Sequence, residues 1–304
     1  MTALEPAVAD YLQLRRQLGF GLERPARFLA SFSAYARARG ATHITTGLAV
    51  SWAAQPPGAD PSWHAARLSA VRLFARYMQA RDPRTEVPPP RLLPGRSRRA
   101  EPYLYSPEEI TAVMAAAAAI RAPLRAATYQ ALTGLLAVTG MRVGEAISLD
   151  RPDIDLAEGI VTVRHGKFGK PRQLPLHPSV TQALDGYARL RDQVIARPAT
   201  AAFFVSLAGT RLIYKNVHHT WLRLARSAGL APRSARCRPR IHDLRHSFAV
   251  TTVISWYRDG GDLAARLPLL SAYLGHTDPD DTYWYLQAAP ELLALAAARL
   301  GSNR

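Results

Sequence analysis

The residues best suited to chemistry lie in one stretch of the chain, from Ile241 to Gln287. His242 and Arg245 are three positions apart, so on a helix they would share one face and could bind one ligand. A second histidine, His276, follows a Leu-Gly pair, and Tyr285 comes nine residues after it. Arginine forks bind anionic oxygens, and a tyrosine hydroxyl can act as a nucleophile. These residue types therefore favour chemistry on a phosphodiester.

A further arginine, Arg142, lies upstream in the sequence TGMRVGEAISL. Gly140 is expected to end one helix and Arg142 to begin the next, where backbone N–H groups favour an anionic ligand. Glu145, three residues on, offers another interpretation, in which the arginine is a surface residue in an ion pair. The residues by themselves leave both interpretations open.

A metal site is the main chemical alternative. His242 and His246 are four positions apart, which is the spacing of zinc-binding helices. Such a site needs a third ligand and usually a glutamate between the histidines, but the residue after His242 is Asp243 and the only cysteine is Cys237. We therefore predict that the protein uses no metal or other cofactor and that His246 is a structural hydrogen-bonding residue. A metallohydrolase built on the two histidines remains the alternative.

The composition points to a polyanionic partner. The 304 residues carry a formal net charge of +16, and the isoelectric point is near 10.7, which favours nucleic acid binding. The single cysteine excludes an intramolecular disulfide and fits a reducing compartment. No apolar run is long enough to span a bilayer, and the N-terminus lacks the features of a signal peptide. We therefore expect a cytoplasmic, nucleoid-associated protein without a membrane partner.

Proline and glycine divide the chain. The sequence EVPPPRLLPGRSRRAEP cannot continue a helix and makes a poor strand. We therefore predict a helical-bundle DNA-binding domain at 1–87, a basic proline-rich linker at 88–102 and a domain carrying the chemistry at 103–304.

The second domain is predicted to be α+β, so that the chain as a whole is mainly α with a small antiparallel β-sheet. Ser106, Pro107 and Glu109 form a capping-box pattern at the start of a helix. Further along, Ile160–Val163 alternate like a strand, a Gly-Lys-Phe-Gly-Lys sequence interrupts them, and Gln173–Leu176 follow, which is typical of a β-hairpin. Helical patterns return after it.

In order and spacing, these residues resemble the tyrosine recombinases, the phage-integrase family. That family has an arginine after a T-G-[LM]-R turn, a lysine in a β-hairpin, then H-x-x-R, L-G-H and a tyrosine about nine residues later. The hairpin GKFGKPRQLPL resembles the family's sequence there, with Phe168 in place of a glycine. The resemblance implies six catalytic residues, which are Arg142, Lys167, His242, Arg245, His276 and Tyr285.

The resemblance also implies the chemistry: cleavage and rejoining of DNA through a 3′-phosphotyrosyl intermediate, without metal or ATP. Tyr285 would attack, and Tyr283 competes with it, although the family spacing favours Tyr285. The two arginines and His276 would bind the non-bridging phosphate oxygens, and Lys167 would protonate the leaving 5′-oxygen. His242 would assist proton removal from the tyrosine or orient the phosphate. Glu145 would support Arg142.

The family architecture implies a C-shaped two-domain clamp, with the N-terminal helices as a core-binding, SAM-like domain. Its implied substrate is double-stranded DNA with paired recombination sites. The protein would be a monomer or dimer when free and a homotetramer on DNA, and accessory recombinase subunits are further implied partners. We also expect the terminal segment PELLALAAARL to dock on a neighbouring protomer. The distance from His242 to His276 is longer than usual for the family, and we expect a loop near Trp256–Pro268 to contain the excess. The candidate DNA contacts are Arg96, Arg98, Arg99, Lys170, Arg172 and Lys215.

Two other functions fit the same residues. A type IB topoisomerase would use the same active site to relax DNA, and a non-catalytic DNA-binding protein could keep the scaffold. The basic N-terminal module and the terminal segment favour recombination, and a pure binder has no use for Tyr285. The sequence therefore predicts site-specific recombination, in the integration, excision or transposition of a mobile element.

Overall fold

The computed structural model describes residues 4–95, 101–164 and 171–276. The chain divides into two units, Met1–Arg99 and Ala100–Arg304. The division falls within the segment 88–102 that is predicted as a linker. In the described part of the first unit, the helices are α1 (Leu4–Gln17), α2 (Glu23–Ala38), α3 (Thr46–Ala53) and α4 (Pro61–Gln79).

Local sequence signals explain where the helices of the first unit begin. Pro61 occupies the first position of α4, and the Asp60 side chain accepts a hydrogen bond from the Ser62 N–H at 2.8 Å. In the same way, Thr45 caps α3 by accepting from the Leu48 N–H at 3.1 Å. The helical bundle predicted for this part of the chain is confirmed.

The core of the first unit contains an arginine. Phe32, Trp52 and Phe74 are fully buried, and the Arg67 guanidinium lies 3.8 Å from the centre of the Trp52 ring. Arg67 also donates to the Trp52 carbonyl at 2.7 Å. An arginine in this basic chain is therefore not by itself a sign of DNA binding, and each one has to be judged from its contacts.

The second unit is mostly helical around a small sheet. Its helices are α5 (Pro107–Ala118), α6 (Pro123–Thr139), α7 (Val143–Ser148), α8 (Pro178–Val194), α9 (Tyr214–Ser227), α10 (Asp243–Arg258) and α11 (Leu263–Leu274). Its strands are β1 (Ile154–Asp155), β2 (Ile160–Val163) and β3 (Arg172–Pro175). Among the residues that the structure describes, no helix is long and apolar enough to cross a membrane.

The strands form the predicted antiparallel sheet in the order β1-β2-β3. Val163 pairs with Arg172 at the end of the hairpin, and Val161 pairs with Leu174. Val161 and Leu174 are fully buried, so the apolar side of the alternation faces the core. The tip of the hairpin, residues 165–170, lies outside the described residues and includes Lys167 and Lys170.

The segment Trp256–Pro268 is not the loop that the sequence predicts. α10 continues through Arg258 and α11 already begins at Leu263, so residues 259–262 alone connect them. The reason is packing, because Trp256 and its apolar neighbours lie against Val253 and Leu270 in a small core of their own. Most of the segment is therefore helical, and its loop is four residues long.

Candidate active site

Arg142 lies at a tight junction between α6 and α7. Gly140 ends α6 with a φ of 60°, and a Cβ added there would lie 2.4 Å from a Phe248 ring atom. Arg142 follows as the N-cap of α7, and both its backbone N–H and its guanidinium donate to Glu145 at 2.9 Å. The prediction that α6 ends at Gly140 and that the next helix starts at Arg142 is confirmed.

Arg245 is buried at the centre of the site, with 2 % of its surface exposed. It extends from the first turn of α10, and its guanidinium donates to the Gly140 carbonyl at 2.9 Å and to the Leu274 carbonyl at 2.7 Å. The ends of α6 and α11 are therefore joined through one guanidinium.

The end of α11 receives hydrogen bonds from three arginines. The last carbonyls of a helix lack partners within it and carry its partial negative charge, so they attract cations. Here each of three consecutive carbonyls, residues 273–275, accepts from a different guanidinium just before His276. The pairs are Arg172 with Tyr273 at 2.8 Å, Arg245 with Leu274 at 2.7 Å and Arg142 with Gly275 at 3.2 Å. The turn that leads to His276 is thus held by residues from β3, from α10 and from the N-cap of α7.

Glu145 is the acidic group of this cluster. It is buried, and beside its bonds from Arg142 it accepts two from Arg172, at 3.2 and 2.7 Å. Burial acts to raise the pKa of the Glu145 carboxyl, but the hydrogen bonds and charges of the two arginines outweigh it and lower that pKa. Glu145 is therefore a carboxylate at neutral pH.

The two histidines of α10 have different environments. Their rings stand perpendicular, with centres 5.1 Å apart. His242 has an exposed face, yet desolvation by the surrounding protein and the charges of Arg245 and Arg142 lower its pKa to about 4. His246 is buried, and burial above all lowers its pKa to about 3. Both imidazoles are neutral at pH 7 without DNA, and an added phosphate anion would raise the pKa of His242.

The low pKa of His246 predicts a pH dependence of stability. An unfolded histidine has a pKa near 6.5, so between about pH 3 and 6.5 the unfolded state binds more protons and stability falls as the pH falls. In the middle of this window the loss should be on the order of 1 kcal/mol per pH unit, and it should be smaller near pH 6.5. Urea unfolding of the full chain at pH 7, 6 and 5 measures the loss, and His246→Gln should make it shallower. An equally steep loss in His246→Gln would show that His246 is not the group responsible.

Asp243 is a structural residue whose role the sequence does not reveal. It has no exposed surface, and Arg240 donates to its two oxygens at 2.9 and 2.8 Å. Burial raises the pKa of Asp243 against the effect of Arg240. The pair fixes the start of α10, where His242 and Arg245 lie. The only available signal was the position of the aspartate beside His242.

The structure brings four of the six predicted catalytic residues to one place. Arg142, Arg245 and His276 meet at the end of α11, and the charges of both arginines act on His242. Lys167, Tyr285 and its competitor Tyr283 lie outside the described residues. No three His, Cys, Asp or Glu side chains within 4–95, 101–164 and 171–276 are grouped closely enough to hold a metal ion.

The candidate DNA contacts have different placements. Lys215 is exposed on α9, whereas the Arg172 guanidinium points inward to Glu145 and its side chain is 11 % exposed. Arg96, Arg98, Arg99 and Lys170 lie outside the described residues.

The mostly helical fold with its three-stranded sheet brings two arginines and two histidines together, as expected for an enzyme that cleaves and rejoins DNA strands. The model of the phage integrase family matches residues 104–291, and the chain belongs to that family. A relative from Sinorhizobium fredii (strain NBRC 101917 / NGR234) is the putative integrase/recombinase y4rB. It is 44% identical over 306 residues, and the match covers 99% of this chain and 98% of the relative.

Solved structures share the fold. The Tn1549 transposon integrase in complex with transposon right end DNA has a TM-score of 0.68 and 15% sequence identity, over 97% of this chain and 98% of that one. A lambda integrase tetramer bound to a Holliday junction has a TM-score of 0.60 and 17% sequence identity, over 93% of this chain and 77% of that one. At these identities the likeness is one of fold.

Proposed function

We propose that this chain recombines paired DNA sites of a mobile element through a 3′-phosphotyrosyl intermediate formed by Tyr285. Arg142, Arg245 and His276 bind the non-bridging oxygens of the scissile phosphate. Lys167 protonates the departing 5′-oxygen, and His242 assists proton removal from the tyrosine or orients the phosphate.

The observation that carries this proposal is the meeting of two guanidinium groups at the turn before His276. Arg142 donates to the Gly275 carbonyl across 133 positions of sequence, and Arg245 donates to the Leu274 carbonyl across 29. Charge that develops on phosphate oxygens in the transition state is best stabilised by donors already held in place. Arginine keeps its proton at any physiological pH, so the proton for the leaving oxygen has to come from another group, for which a lysine is suited.

The exposed face of α9 supports DNA binding by the second unit. The helix is amphipathic, because Val217, Trp221 and Leu224 are buried on one side. Lysine, histidine and arginine side chains recur at helical spacing on the opposite, exposed side, and the lysine and the two arginines make that side positive. Its members are Lys215, His219, Arg223 and Arg226.

Replacing Lys215 with alanine is expected to weaken DNA binding and to reduce its salt dependence. Each phosphate contact adds close to one unit to the slope of log K against log salt, so the slope should fall by about 1. Equilibrium binding to one duplex at several salt concentrations measures it. Arg189→Ala serves as a control, since Arg189 lies on α8 and pairs with Asp185. Equal slopes for wild type and Lys215→Ala would remove α9 from the DNA interface.

The assembly is proposed by analogy with the relatives. The lambda integrase tetramer on a Holliday junction supports four protomers on DNA, and the transposon integrase supports a role in a mobile element. Double-stranded DNA with paired sites is then the substrate, and accessory recombinase subunits are candidate partners. The same proposal includes three domain limits, which are 1–87, 88–102 and 103–304. It also includes DNA contacts by the linker arginines and a location at the nucleoid.

Covalent trapping tests the function. Duplexes selected from a random pool by binding to the protein supply a target, and a nick beside the cleavage position prevents religation. The expected result is a protease-sensitive protein–DNA adduct that forms in EDTA and without ATP. Binding without an adduct on any selected duplex would identify a DNA-binding protein, and catalytic relaxation of a plasmid that lacks the selected site would identify a topoisomerase.

A further inference from the structure

Arg172 is the first residue of β3 and the first strand residue after the hairpin tip. It pairs with Val163 across the sheet, next to residues 165–170, which include Lys167. Three of its nitrogens are engaged, because Nε donates to the Tyr273 carbonyl and both terminal nitrogens donate to Glu145. The side chain is directed into the protein and not toward a DNA surface.

The Arg172 guanidinium also lies against the Leu-Gly-His turn. A Cβ added to Gly275 would lie 3.0 Å from an Arg172 terminal nitrogen and 3.2 Å from its central carbon. Gly275 has a φ of 68°, in the left-handed region that favours glycine. The absence of a side chain at position 275 therefore has two causes, the backbone conformation and the closeness of Arg172.

The charges of the cluster give Arg172 a function. Glu145 is a buried carboxylate that contacts both Arg142 and Arg172. With only one arginine beside it, the pair would be neutral, and Arg142 would be held by the carboxylate instead of by a phosphate. With two arginines, the trio keeps one net positive charge. Arg142 is the member with the more exposed side chain, 24 % against 11 %, so that charge is available to a ligand there.

We propose that Arg172 is a positioning residue, which neutralises Glu145 and holds the turn before His276 so that Arg142 can bind the scissile phosphate. The inference rests on the proposed function, because it assigns a role in the same cleavage step. Arg172 touches neither the phosphate nor the nucleophile in this role. It acts through Glu145 and through the end of α11.

Single-turnover cleavage of the nicked duplex tests the proposal with the full chain. Arg172→Gln should slow cleavage by between about 10- and 100-fold, less than the ~100- to 1,000-fold expected when a direct donor is lost. DNA affinity should fall by no more than one lost phosphate contact, that of Arg142, so cleavage rates are compared at saturating protein. Arg172→Lys keeps the charge but not the two-pronged fork, so it should restore only part of the rate. Arg164→Gln, at the end of β2 where Arg164 pairs with Asp153, is the matched control and should cleave normally.

The decisive variant is the double replacement Arg172→Gln with Glu145→Gln. It removes one positive and one negative charge, so Arg142 again carries a net positive charge, and the double variant should cleave faster than Arg172→Gln alone. A purely structural role predicts the opposite, since the double variant loses more hydrogen bonds. Thermal unfolding of each variant confirms that the compared proteins are folded.

Three outcomes would overturn the proposal while the wild type still forms its adduct. The first is a double variant slower than the single one, and the second is cleavage by Arg172→Gln at the wild-type rate, which would show that Arg142 does not depend on Arg172. The third is full rescue of Arg172→Gln by a substrate with sulfur at the bridging 5′ position. Such a leaving group needs no proton, so rescue would place the effect on Lys167. Failure of the proposed function would appear differently, as a wild-type protein without any adduct.

Discussion

Tyr285→Phe should bind DNA as the wild type does and form no covalent adduct, whereas Tyr283→Phe should still form it. The phenylalanine lacks only the hydroxyl that attacks the phosphate. Loss of a nucleophile typically lowers the rate by more than about 10⁴-fold, which places the adduct below detection. One tyrosine is enough for the attack, and the spacing after His276 favours Tyr285.

The measurement is the covalent trapping assay, run on both variants with the same nicked duplex. Equal DNA affinity in a gel-shift titration is the control for folding. An adduct that is lost in Tyr283→Phe and kept in Tyr285→Phe would reverse the assignment, which rests on the nine-residue spacing after His276. An adduct that is kept in both variants would mean that neither tyrosine is the nucleophile.

Arg245→Ala should produce the second largest effect, on rate and stability together. A preorganised donor is worth about 10²- to 10³-fold in rate. The same guanidinium supplies hydrogen bonds to the carbonyls of Gly140 and Leu274. Each buried carbonyl left without a donor costs about 1–3 kcal/mol. We therefore expect slower cleavage and a lower urea midpoint in the full chain.

Arg142→Ala is the matched comparison. Arg142 is more exposed, and one of its nitrogens donates to a single backbone carbonyl, that of Gly275. Its removal should slow cleavage by a similar factor but destabilise the protein less. If Arg245→Ala unfolds more easily yet cleaves at the wild-type rate, then Arg245 is a structural tie and not a phosphate ligand.

Local patterns in the sequence were sufficient for much of the fold. The capping box at Ser106 and Glu109, the alternation of β2 and the helix end at Gly140 each depend on neighbouring residues, and each is present in the structure. The segment Trp256–Pro268 was predicted as a loop from the long interval between His242 and His276, and that prediction was wrong. Trp256 on α10 packs against a cluster that includes Leu270 on α11, and a contact between two helices is not visible in a local sequence pattern.

Only those features of the site that depend on residue types and their spacing could be predicted from the sequence. They indicated Arg142, Arg245 and His276, but not which carbonyls the arginines contact. The placement of Arg172 could not be predicted, because its partners Glu145 and Tyr273 are 27 and 101 positions away. A basic residue beside two lysines suggests a DNA contact until the fold shows the carboxylate that it meets.

The three arginines at the end of α11 make the site a single cooperative unit. Each comes from a different element, so the turn before His276 cannot open locally without releasing β3, α7 and α10 from it. Local unfolding normally has its own free energy in each part of a protein. Here the amide protons of the last turn of α11 should exchange together with those of the sheet and of the start of α10. The chain therefore leaves toward Tyr285 from a turn that three guanidinium groups hold.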